Sequence, residues 1–183
     1  STPDTDYAGN TRRLALGTAG LGELRSWFCQ RAVYSPRQLF EIMSQFWENH
    51  FVTQYSKTAD FLAAYYDGDY AARAAAQIEL RENLKWRAAL LNPKVTFLDL
   101  LTISAQSPAM IVYLDTVNSR GNATFDNKGN VTSRSIANEN YARELCELFC
   151  FGVDNGYDQN DIVEISRAWT GWTIGYKRRQ NDD

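Results

Sequence analysis

One histidine stands in this sequence of 183 residues, His50. That scarcity removes any zinc site built from several imidazoles and leaves little support for a Ser-His-Asp arrangement. Cysteine is scarce too: three residues, Cys29, Cys146 and Cys150, so at least one thiol is unpaired within the chain. Cys146 and Cys150 lie four apart, on one face of an expected helix, where their Cβ atoms do not converge for a bridge. Cys29 is left as a partner for either, against the simpler reading of buried free thiols packing as small apolar side chains. No stretch approaches the roughly 20 apolar residues of a membrane-spanning helix. Positive charge is in deficit, with 19 Lys and Arg against 22 Asp and Glu, which argues against a surface that neutralises nucleic-acid phosphates. The opening "STPDTDYAGN" has neither a Met nor a basic-then-apolar leader, as in a mature end after signal removal or a fragment.

What is present is helical pattern. "PRQLFEIMSQFWENHF" carries Leu39, Phe40, Met43, Phe46 and Trp47 at three-and-four spacing, and His50 continues that face. Ser35-Pro36 reads as its cap and first turn. Asp69 reads as the cap of a long Ala-, Leu-, Glu- and Arg-rich helix ending at Asn92-Pro93. Ser107-Pro108 opens another, and Asp158 caps a last one that Gly171 ends. Residues 118–135 are dominated by Asn, Gly, Ser and Asp and read as a long polar loop with a small hairpin. No repeat and no run of strands appears. The expectation is one all-α domain over 1–183, with seven or eight helices and flexible ends at 1–10 and 176–183.

The stretch "NENYARELCELF" holds the densest polar chemistry. Glu139, Arg143 and Glu147 are spaced four apart and form a ladder on one side, while Glu144 and Asn140 share another stripe. Tyr141, Ala142, Leu145, Leu148 and Phe149 form the apolar stripe, behind Asn138 as cap. The catalytic candidates are His50, Glu144 and Glu147: a carboxylate facing the ring would orient and charge it. Set against this is a helix whose charges only hold neighbouring segments together. "DNGYDQND" fails as an EF-hand because Gln159 stands where Gly is required. Trp169 and Trp172 read as core or interface residues, with a sugar platform as the alternative.

"NENYARELCELFCFGVDNGYDQNDIVEISRAWTGWT", with "FWENHF" and "RENLKWRAALLNPKVTFLDLLTISAQSPAMIVYLD" upstream, resembles a bacterial family known as domain of unknown function 1800. The resemblance marks Trp47, Asn49, His50, Asn138, Glu139, Asn140, Arg143, Glu144, Glu147, Trp169, Gly171 and Trp172 as motif positions. Glu48 departs from it, standing where the family commonly has His, which weakens any metal proposal. Family members are typically exported, so the resemblance implies a periplasmic or extracellular protein and the N-terminal part of a longer architecture. The expected function is a structural or accessory subunit of an extracytoplasmic or membrane-associated assembly. The partners are then other protein subunits, with no cofactor, metal, nucleic acid or transmembrane segment of its own. The alternatives are a hydrolase of an extracellular polymer using Glu and His, and a carbohydrate-binding module.

Overall fold

The computed structural model describes residues 7–121, 123–134 and 137–175. The protein is all-α, as expected, with nine helices among the described residues, seven of them seven residues or longer. Its chain divides into two compact units, one through Tyr113 and one from Leu114 onward.

The first unit holds α1 (Tyr7–Ala15), α2 (Leu21–Tyr34), α3 (Gln38–His50), α4 (Tyr55–Ala63), α5 (Gly68–Leu90), α6 (Phe97–Ala105) and α7 (Pro108–Tyr113). Of the end segments, residues 1–6 and 176–183 lie outside the described residues, while residues 7–10 belong to α1. Helix α5 is the axis of this unit, 23 residues long, or about 35 Å at 1.5 Å per residue. Its alanines explain why: Ala has the highest helix propensity and its small side chain lets neighbours come close. Ala71 and Ala75 pack with Leu62 of α4, and Ala76 and Leu80 pack with Leu14, Leu24 and Trp27 of α1 and α2. The cap is Asp67, not Asp69: its side chain accepts from the Tyr70 amide at 2.8 Å, and Asp69 sits inside the first turn. Likewise α3 is entered through Arg37, whose amide is held by Ser35 Oγ at 3.2 Å, so Ser35, expected as the cap, sits two residues before it. Thr96 and Asp99 close a reciprocal capping box on α6.

Trp27 is fully buried, donates through Nε1 to Thr11 Oγ1 at 2.9 Å, and has the guanidinium groups of Arg31 and Arg87 each 5.3 Å from its ring. Both cations are thus drawn inward onto an aromatic face.

Helix α3 departs most from its pattern. Leu39, Ile42, Met43 and Phe46 are 73, 60, 38 and 54% exposed, while Glu41 and Ser44 are buried. These four apolar side chains face out, Phe40 and Trp47 are half-buried, and the polar stripe turns inward.

The second unit begins with a 3-10 turn, Thr116–Asn118, entered through Asp115 in a left-handed conformation (φ 57°). A two-stranded antiparallel hairpin, β1 (Ala123–Phe125) and β2 (Val131–Arg134), falls inside the expected polar loop. Asp126 closes it, accepting from the amides of Lys128 and Asn130 at 2.8 Å each. Helix α8 (Asn140–Glu144) runs into a π-helical turn, Leu145–Cys150, and α9 spans Gln159–Ala168. The amides of Phe151 and Gly152 both reach Cys146 O, at 3.0 and 3.1 Å, so the wide turn ends on Gly152 at φ +89°. That widening shifts the register: Leu148, expected in the core, is 61% exposed. Asn138 accepts from the Asn140 amide at 2.8 Å just outside α8, whose cap position is Glu139. All three cysteines are free thiols, but only Cys146 is buried; Cys29 and Cys150 are exposed.

Candidate functional site: a carboxylate–arginine network between two helices

The polar stripe of α3 places Glu41, Ser44 and Glu48 toward α5, and α5 answers with Glu79, Glu82, Asn83 and Arg87. Spacings of three and four put each set on one helix face. The resulting chain of contacts is continuous. Arg31 of α2 grips Glu41 with two nitrogens, Nε at 3.1 Å and Nη2 at 2.9 Å from Oε1. Arg87 Nη2 donates to the other Glu41 oxygen, and Arg87 Nε donates to Asn83 Oδ1 at 2.6 Å. Asn83 Nδ2 then donates to Glu48 Oε2 at 2.7 Å. Arg87 also lies 5.5 Å from the Phe40 ring centroid. Nearby, Glu79 accepts from the Thr53 hydroxyl at 3.0 Å and Glu82 from the Ser107 hydroxyl at 2.7 Å.

The carboxyls fall into two electrostatic kinds. Burial pushes the Glu41 carboxyl up, but the hydrogen bonds and charges of Arg87 and Arg31 win and hold it at about 2. Glu48 is pushed up to about 7, chiefly by burial and then by the charge of Glu79, against the pull of Asn83 and Arg87. Glu82 is pushed up to about 8 by burial, with the Ser107 hydrogen bond opposing and Glu79 and Glu48 adding to it. Burial also raises Glu79, with Thr53 opposing.

Two small hollows open beside this network, of about 160 and 280 Å³, and both are lined by Phe28, Gln45 and Glu48. Cys29, Ala32, Glu41 and Arg87 complete the first; Asn49, Thr53 and Glu79 contribute to the second. Glu48 therefore meets a cleft with a proton it can exchange near neutrality, the property acid–base chemistry requires. Among the described residues, no group of three or more His, Cys, Asp or Glu side chains is arranged to hold a metal ion.

The residues singled out from sequence lie elsewhere. His50 closes α3, half-buried, its ring packed against Phe46, Trp47, Phe51 and Phe97 at centroid distances of 6.3, 5.7, 4.7 and 6.2 Å. It belongs to the first unit; Glu144 and Glu147 belong to the second. Glu144 is half-buried, its carboxyl raised by burial and by the charge of Glu147. Arg143 joins Glu139 at 3.0 Å and Glu147 at 3.1 Å, and also donates to Gln159 Oε1 of α9 at 3.1 Å. Trp169 stacks on buried Tyr141 at 4.6 Å, and Trp172 is tilted 31° from it. A flat sugar platform needs coplanar exposed rings; both indoles are half-buried. Asn49 and Asn140 are exposed and Gly171 is left-handed at φ +82°.

Sequence reasoning missed Glu41, Glu79, Glu82 and Arg87, and took Glu48 only as a departure. One signal was available: acids at 79 and 82 and a base at 87 share a stripe of α5 with the apolar Trp86 and Leu80 close beside it.

This architecture defines an all-helical protein whose first unit is tied together by internal charge. The chain matches the family described as a protein of unknown function (DUF1800) over residues 10–183, and it belongs to that family. Comparison with curated proteins and with solved structures returns no match.

Proposed function

We propose that the chain is an accessory module of an extracytoplasmic assembly, docking on a different protein through the outward face of α3. One observation carries the reading: Leu39, Ile42, Met43 and Phe46, a helical stripe of the kind that normally enters a core, is between 38 and 73% exposed. Beside it Phe97, which packs on Trp47, is 41% exposed and Leu98 67%. A groove of about 600 Å³, lined by Pro36, Arg37, Leu39, Phe40, Met43 and Leu90, extends the stripe at the head of α3. Large apolar side chains around a groove are what interface cores are made of. Arg37 is the charged residue among those lining the groove, so the partner that fits is an apolar helix or ridge with an acidic flank.

The test is site-directed photo-crosslinking in the native host. A crosslinker at Ile42 is expected to give a single discrete adduct, abolished by Leu39→Glu. The same crosslinker at Arg81, an exposed position of α5, is expected to give none. An adduct with a second copy of this chain, equal labelling at both positions, or none at Ile42 overturns the reading.

A further inference from the structure

We propose that the seam between α3 and α5 is a proton-operated latch: while Glu48, Glu79 and Glu82 carry protons the two helices stay closed, and loss of those protons loosens α3.

The geometry separates these three carboxyls from Glu41. Glu41 receives two guanidinium groups. The other three receive only neutral donors: an amide for Glu48, and hydroxyls for Glu79 and Glu82. The second oxygens of Glu79 and Glu82 are buried with no hydrogen-bond partner. Glu82 is buried, while Glu48 and Glu79 are half-buried beside the hollows. An ionised carboxylate held this way gives up hydration for one neutral hydrogen bond, which is costly and most so for Glu82. A protonated carboxyl is a neutral group, and the arrangement suits it.

The surrounding charge points the same way. Against Glu48 stand Glu79 of α5, which opposes its ionisation, and Arg87, which favours it. Against Glu82 stand Glu79 and Glu48, outweighing Lys85 of the same helix, whose pull comes last among the influences on it. Across from Glu79, the Tyr55 hydroxyl of α4 is itself pushed up, by burial and then by that acid's charge. Arg87 Nη2 and Nε are taken by Glu41 and Asn83 while its buried Nη1 has no hydrogen-bond partner, so ionising the cluster places three negative charges around one guanidinium that Glu41 already neutralises.

Both Glu48, at about 7, and Glu82, at about 8, are raised above the ordinary 4.5. A raised acid binds its proton more tightly in the folded state. Its stabilisation is therefore complete below about pH 4.5 and is lost as pH rises through those folded values. The latch is closed in mild acid and loosens above neutrality.

The experiment uses the full chain and does not depend on the docking reading, because no partner is present. Infrared spectroscopy at about pH 6 should show a protonated-carboxyl band that shrinks in Glu48→Gln and again in Glu48→Gln/Glu82→Gln. Hydrogen exchange of the amides of residues 38–50, corrected for intrinsic rates, should lose about tenfold protection between about pH 5.5 and pH 9. In the double variant, where neutral amides replace two of the three acids and Glu79 remains, most of that loss should disappear. If the double variant does not fold, Glu48→Gln alone should halve the loss on a logarithmic scale. Absence of the infrared band, a wild-type protection that does not change with pH, or an undiminished loss in the Gln variants overturns the latch.

Discussion

Arg87 donates to Glu41 across the α3–α5 seam, and the two side chains are 8 and 6% exposed. Neither would be tolerable alone at that depth. Glu41 has a second guanidinium from Arg31, whereas Arg87 has Glu41, the Asn83 amide oxygen and two aromatic faces. Breaking a buried pair from one side leaves the other charge uncompensated, at a cost of roughly 3–5 kcal/mol. Glu41→Ala is expected to fall in that range, since it strands the buried Arg87. Arg87→Met is expected to cost less, because Glu41 keeps Arg31 and the apolar chain still packs on Trp27. Denaturant midpoints of the two variants check the order, and the reverse order would contradict the network described.

Acid should unfold the protein through the same carboxylate. Glu41 is held at about 2, below its ordinary 4.5. A depressed acid contributes stability that is fully present above about pH 4.5 and is lost as pH falls through about 2. Stability measured by urea midpoint should therefore fall between about pH 4.5 and pH 2. In Glu41→Gln the fall should be shallower from a lower plateau. An unchanged acid limb in that variant would assign acid sensitivity to other groups.

The outward stripe of α3 and the packed face of α5 should respond oppositely to substitution. Phe46 is 54% exposed and Leu80 0%. Phe46→Lys is expected to change stability within about 0.5 kcal/mol, and Leu80→Ala to cost roughly 2–5 kcal/mol by opening a cavity. Thermal unfolding of the two variants is the check. A large loss from Phe46→Lys would place that ring in a core contact.

The helical class was legible because it rests on local signals. Asp158 reads as a cap, and in the structure it accepts from the amides of Asn160 and Asp161; the hairpin follows from turn chemistry in the same way. The direction α3 faces was not legible. Periodicity finds an apolar stripe and assumes it faces inward, but here the polar stripe does, because its counter-charges come from elsewhere. Arg31 lies 10 positions before Glu41 and Arg87 46 positions after it, and no local window joins them. Leu148 failed for a different reason: it lies inside the π-helical turn, whose wider repeat moves it off the face a 3.6-residue period assigns, while Phe149 stays buried. Of the candidate site, the chemistry of Glu139, Arg143 and Glu147 was readable from four-residue spacing, while Glu79 and Glu82 of α5 looked like ordinary helix-forming residues.

The two arginine networks should differ in their response to salt. Arg143 is 41% exposed and its partners Glu139 and Glu147 are 28 and 25% exposed, so ions reach all three and screen them. Each such pair is worth roughly 0.2–1 kcal/mol. Arg143 also reaches Gln159, whose Nε2 donates in turn to Glu139 Oε2 at 2.9 Å, so the cluster stitches α8 to α9. Arg143→Gln is expected to cost about 1 kcal/mol in low salt, with most of that difference disappearing in about 1 M sodium chloride, where the screening length is about 3 Å. The Glu41→Ala penalty should persist at the same salt concentration, because the stranded Arg87 remains out of reach of solvent ions. Measuring both variants in both salts separates the two cases: equal salt sensitivity would mean that the α3–α5 network is open to solvent, and a salt-independent Arg143 effect would mean that its role is packing rather than charge.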